Sequence, residues 1–141
     1  MIYLIYGSQS ATIKSRIKKI CKDVLDEIDE MNFAKFDGAQ TLIQEAVDEA
    51  TFMPLGYDNK VISVENCYFL LKPKPRNKLE SDQDYDKLIE YLNYPNDSCE
   101  FILSVVSSSI DEKNEIFKLI KEKGKVFEIV DPDKNDWKKY V

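Results

Sequence analysis

The sequence predicts an α/β domain, with a mostly parallel five-stranded sheet covered by helices on both faces. Three observations carry that expectation. Short apolar runs alternate with segments whose apolar residues recur at three- and four-residue steps. The connections between them are short. The first run, Ile2-Tyr3-Leu4-Ile5-Tyr6, is apolar at consecutive positions, as a strand buried on both faces must be.

Gly7 stops that first strand. Ile13, Ile17, Ile20, Val24 and Ile28 then line one side of a predicted helix, with Lys14, Arg16, Lys18, Lys19, Lys22 and Asp23 on the other. A second strand, Asn32 to Phe36, ends at Asp37-Gly38. Leu42, Ile43, Ala46, Val47 and Ala50 stripe a helix whose end falls near Thr51, because Pro54 disfavours helical backbone in the residue before it. Lys60-Val61-Ile62-Ser63-Val64 is the third strand. From Asn66 to Ser81 the chain is first apolar (Tyr68 to Leu71), then basic and proline-bearing (Lys72-Pro73-Lys74-Pro75-Arg76), and reads as an exposed loop.

Tyr85, Leu88, Ile89 and Leu92 stripe a helix that begins near Ser81 or Asp82 and is broken by Pro95-Asn96-Asp97. Glu100 to Val106 is the most hydrophobic strand and belongs at the sheet centre. Ser109 and Glu112 have capping-box spacing ahead of a helix that buries Ile116, Phe117 and Ile120, and Gly124 stands just past its end. The final strand is Lys125 to Val130. After Asp131-Pro132-Asp133 the segment from Asn135 to Val141 starts a further helix and stops. That abrupt stop implies that residues 1–141 are one domain of a longer natural protein.

A chain of 141 residues at 43% hydrophobic and 33% charged has the material for one core. Its net charge of −6 argues against a stand-alone grip on nucleic-acid phosphates. Histidine is absent, which removes the commonest general base and the His-assisted nucleophiles. The three cysteines, Cys21, Cys67 and Cys99, are widely spaced and form no CxxC, so they read as reduced thiols. There is no charged-then-apolar leader, and no apolar run approaches the ~20 residues that span a bilayer. The expectation is a soluble, cytoplasmic protein.

The turn Gly7 to Ser15 stands where a phosphate-binding loop would stand, with Gly7 and Lys14-Ser15 resembling its two ends. Ala11 to Ile13 supply no second glycine before the lysine, so the cradle is broken. Asp26, Glu27, Asp29 and Glu30 read as a solvated helix end, and Ser107-Ser108-Ser109 as a capped loop. Thr51-Phe52-Met53-Pro54-Leu55-Gly56-Tyr57 is different. It puts large apolar side chains in a helix-to-strand connection, where turns are usually polar. The two readings are a loop tucked onto the core and an exposed knob that binds a partner.

The order MIYLIYG, helix, NFAKFD, helix, ATFMPLGYDNKVISVEN, a helix ending in Leu-x-Tyr-Pro-Asn, EFILSVV, helix, KGKVFEIVDP and DWKKYV resembles the N-terminal domain of the delta subunit of bacterial DNA polymerase III, a clamp-loader subunit. The run from Ala50 to Asn66 is the most specific part. The resemblance implies a three-layer, P-loop-NTPase-like, AAA+-related fold with a degenerate phosphate loop. It implies no catalytic residue, cofactor or metal in this domain. It also implies that the protein binds the sliding clamp and helps open the ring while neighbouring subunits hydrolyse ATP. Other loader subunits would be met through lid and collar domains that are missing here. By position the turn that carries the family's clamp-binding pair of bulky residues maps onto Phe52 to Leu55, which makes Phe52, Met53 and Leu55 the candidate contacts, with Gly56 where a second bulky residue often follows. The alternative function is a small P-loop-type phosphotransferase, for which Asp37 and Asp131 are positioned as strand-tip metal ligands.

Overall fold

The computed structural model describes residues 1–25, 28, 32–52, 56 and 58–130. Its elements are β1 (Ile2–Gly7), α1 (Ser10–Val24), β2 (Phe33–Asp37), α2 (Ile43–Thr51), β3 (Lys60–Glu65), α3 (Tyr85–Asn93), β4 (Cys99–Val106), α4 (Glu115–Lys123) and β5 (Lys125–Ile129). The strands lie in the order β2-β3-β4-β1-β5, and each neighbouring pair is parallel. β4 is the central strand, as its composition requires.

Strand order dictates where the helices go. The chain moves from β1 across to β2, then back through β3 and β4 to β5. Right-handed crossovers therefore put α1 on one face and α2, α3 and α4 on the other. Strand alternation divides the core accordingly. Ile62, Val64, Phe101 and Leu103 pack with Ile43, Val47, Leu88, Leu92 and Ile120 on the three-helix face. Ile5, Val61 and Ile102 pack with Ile13, Ile17 and Ile20 on the α1 face. The edge of that second face is closed by Arg16, whose guanidinium lies 4.8 Å from the ring centre of Phe127.

Four details depart from the sequence reading. The first helix ends at Val24, and Ile28 lies outside it, half-exposed at 49%. The run Asp26 to Glu30 would bring negative charge to the negative end of the helix dipole, which disfavours continuation. The connection after β3 is not a simple exposed loop. Tyr68–Leu70 form a 3₁₀ turn buried in the core, with Phe69 packed against the Tyr68 and Tyr85 rings at 5.8 and 5.2 Å between centres. A second 3₁₀ turn, Glu80–Asp82, delays α3 to Tyr85, where Asp84 accepts from the Lys87 N–H.

The cap of α4 is the fourth difference. Asn114, not Ser109, starts that helix: its Oδ1 accepts from the N–H groups of Ile116 and Phe117 at 2.7 and 3.3 Å. Its Nδ2 donates to Phe69 O at 3.1 Å, so one side chain caps the helix and fixes the buried turn. Ser109 instead accepts from the Lys72 N–H through its carbonyl oxygen. The segment from Asn135 and the acidic cluster Asp26, Glu27, Asp29 and Glu30 lie outside the described residues.

Cys21, Cys67 and Cys99 are all buried and free. Burial pushes the Cys67 thiol up to about 12 and that of Cys99 to about 11, and raises Cys21 as well. Because the thiolate is the reactive form, alkylation of the native protein at about pH 8 is expected to leave Cys67 and Cys99 unmodified. Mass spectrometry after a timed iodoacetamide pulse, with a sample in concentrated guanidinium chloride as reference, checks this. Labelling of either thiol at the rate seen in denaturant would mean the core is open.

Candidate functional site

Two edges of the sheet compete for function. At the C-terminal edge, β1 and β4 are neighbours whose connections leave in opposite directions, the crevice where open α/β sheets bind ligands. Here that crevice is poorly equipped. Only Ser8 and Gln9 separate β1 from α1, and the helix opens conventionally, with Ile13 N–H donating to Gln9 O at 3.0 Å. Lys14 and Ser15 lie inside α1, so the residues that would wrap a phosphate are already helical. Gly7 has φ +148°, and a Cβ there would stand 2.2 Å from Ile129 O, so β5 closes tightly on the strand end. Asp37 is engaged in its own turn, its Oδ1 accepting from Ala39 N–H and Asn66 Nδ2, each at 2.9 Å. Asp131 lies outside the described residues. Ser107 Oγ accepts from the Ser109 N–H at 3.1 Å, consistent with a capped loop.

The opposite edge, at the strand N-termini, carries the apolar turn. Phe52 follows the last residue of α2 in extended conformation (φ −80°, ψ 144°) and is 65% exposed. It does not tuck onto the core. Gly56 has φ +77°, a backbone that side-chain-bearing residues rarely adopt, which accounts for a glycine at this position. Met53 and Leu55, the other two predicted site residues, lie outside the described residues, as do Pro54 and Tyr57.

The end of α2 is held by side chains from other elements, Lys60 and Asn96, and by its own Thr51. Lys60, the first residue of β3, is only 6% exposed, and its Nζ donates to Glu49 O and to Phe52 O, the latter at 3.2 Å. The Glu49 carboxylate lies 3.9 Å from the same Nζ. Asn96 Nδ2 donates to Ala50 O at 3.0 Å, and Thr51 Oγ1 to Val47 O at 2.8 Å. Two of the carbonyls that the helix end leaves orphaned, Glu49 O and Ala50 O, are thus satisfied, with a cation at the negative end of the dipole. Sequence reading missed the roles of Lys60 and Asn96. A lysine opening an apolar strand was the only signal available for the first.

Beside the turn, the ends of α2 and α3 enclose an open groove of about 390 Å³ lined by Val47, Thr51, Tyr91, Tyr94 and Asn96, with Lys87 and Glu90 at its rim. Lys87 pairs with Asp48 across the two helices. Among the described residues there is no group of three or more His, Cys, Asp or Glu that could hold a metal ion, and no helix long and apolar enough to cross a membrane.

Known proteins supply the family. The model for "DNA polymerase III, delta subunit" matches residues 3–130. The DNA polymerase III subunit delta of Bacillus subtilis (strain 168) is 25% identical over 122 residues, which cover 86% of this chain and 35% of that protein. The solved Bacillus subtilis DNA clamp loader delta protein superposes with a TM-score of 0.81 at 23% identity, over 91% of this chain and 38% of its own. A DNA polymerase III gamma subunit-related protein of Thermotoga maritima gives 0.63 at 15% identity, over 99% and 45%. Those two likenesses show the shared fold, a three-layer P-loop-like domain. The chain spans about a third of the length of its Bacillus subtilis relative. With the match running from inside β1 through the end of β5, this chain belongs to the DNA polymerase III delta subunit family.

Proposed function

We propose that this domain binds the DNA polymerase sliding clamp and helps open the ring during replication, through the turn that leaves α2. Family membership supports the partner. The observation that carries the site is Phe52, 65% exposed on a helix end pinned by Lys60 and Asn96. A rigid apolar knob loses little ordering entropy on docking, so more of its burial appears as affinity. The domain's role in this reading is mechanical, with ATP hydrolysis left to neighbouring subunits. The two-residue link between β1 and α1 counts against the phosphotransferase alternative.

The test pairs stability with affinity. Phe52→Ala, Met53→Ala and Leu55→Ala are each measured for melting temperature and for binding to the cognate clamp. At least one is expected to lose about 2 kcal/mol of binding, roughly thirtyfold, with melting unchanged. For Phe52→Ala, the exposure of the ring predicts a stability change within about 0.5 kcal/mol. If all three leave affinity intact, or weaken it only in proportion to lost stability, the turn is not the clamp-binding element.

A further inference from the structure

The turn by itself is small for a stable interface. Such an interface buries about 800 Å² on each partner. A large aromatic side chain contributes about 150–250 Å² when fully covered, so three bulky side chains reach roughly 450–750 Å² at best. Surface next to the turn must be covered too, and the described residues point to it.

Tyr94 is the most exposed large apolar side chain among them, at 84%. It is also fixed. It caps the C-terminus of α3, and its N–H donates to Glu90 O and Tyr91 O, each at 3.1 Å. α2 leads into β3 and α3 into β4, which are adjacent parallel strands, so both helices end at the same edge of the sheet. Asn96, two residues past Tyr94, ties the segment after α3 to the end of α2: its Nδ2 bonds Ala50 O on α2, and its Oδ1 accepts from Ser98 N–H just before β4. Phe52 and Tyr94 therefore stand on one edge, with the groove of about 390 Å³ beside them lined by the buried Val47 and Tyr91 and the exposed Thr51. Its rim, with the Lys87–Asp48 pair and Glu90, carries both signs of charge, the composition of an interface rim around an apolar centre.

We infer that Tyr94 and this groove are the second half of the clamp-binding surface. Tyr94 packs on the clamp beside the pocket that takes the Phe52 turn, and the groove receives an apolar side chain of the clamp in return. The inference rests on the clamp-binding reading. A tyrosine suits the role because it offers a large contact area with two side-chain torsions to fix, and tyrosines are enriched among residues that carry binding energy.

The experiment measures clamp affinity by surface plasmon resonance, on the full natural chain, for Tyr94→Ala, Tyr94→Phe and Thr51→Trp alongside the turn variants. Tyr94→Ala is expected to weaken binding about tenfold or more, with the melting temperature within about 2 °C of wild type. Tyr94→Phe keeps most of the affinity, since ring area carries the contact. Thr51→Trp, which fills the groove while leaving Tyr94 in place, weakens binding as well. If the turn variants lose affinity and Tyr94→Ala stays within about twofold of wild type, the second half is wrong and the turn stands. If neither set moves affinity, both fall together. Sedimentation without clamp supplies the remaining outcome: a dimer dissolved by Tyr94→Ala would assign the groove to a second copy of this chain and overturn the inference.

Discussion

Gly7→Ala is expected to cost about 4 kcal/mol or more, lowering the melting temperature by roughly 10 °C or beyond for a domain of this size. Gly7 ends β1 with β4 on one side and β5 on the other, and its φ of +148° is rare for a residue with a side chain. The added Cβ would meet Ile129 O at 2.2 Å and the Ile129 carbonyl carbon at 3.0 Å. Those are backbone atoms of a buried strand end, and no side-chain rotation relieves them. Gly56→Ala is the internal comparison. It shares a positive φ, +77°, but its Cβ would meet nothing within 4 Å, so only the backbone strain of about 1 kcal/mol remains. Thermal melts of the two variants separate collision from strain. Equal losses would mean that β5 does not press on β1 as described.

Much of this architecture was legible in the sequence because periodicity reports burial directly. The double-sided apolar run of β1, the hydrophobic β4 and the three- and four-residue stripes of α1 to α4 needed no tertiary information. What escaped depends on contacts between distant segments. Tyr68 to Leu70 lack any period, and only the packing of Phe69 on Tyr85 and the Asn114 bond to Phe69 O turn a loop into core. Asn114 outcompetes Ser109 as a cap for the same reason, since it alone also reaches Phe69 O. At the candidate site, Phe52 stood out because a large apolar residue in a connection is unusual, and the resemblance supplied the partner. Tyr94 did not stand out. Three residues after the buried Tyr91 it looks like the same helical face, but α3 ends at Asn93, and Tyr94 leaves the helix direction with φ −134° and ψ 65°.

Lys60→Ala is expected to lose about 3 kcal/mol of stability and, at temperatures where the protein remains folded, to weaken clamp binding on the order of tenfold. Hydrogen bonds from a charged donor are worth about 1.5–3 kcal/mol net, and removing the donor leaves the carbonyls of Glu49 and Phe52 without it at a helix end. Loss of the buried four-carbon stem adds a cavity to that cost. Lys60→Met separates the two contributions, because it keeps most of the stem and removes the ammonium. If the hydrogen bonds matter most, methionine recovers only a minor part of the stability. If packing matters most, it recovers nearly all of it. Binding gives an independent reading. Phe52 O is one of the two carbonyls that Lys60 holds, so freeing it loosens the knob without changing a single atom of the Phe52 ring. Affinity should then fall through faster dissociation in both variants, alanine and methionine alike, and by similar factors. A Lys60→Met protein that melts several degrees lower yet binds the clamp as wild type does would overturn the proposal that pinning by Lys60 fits the turn for docking.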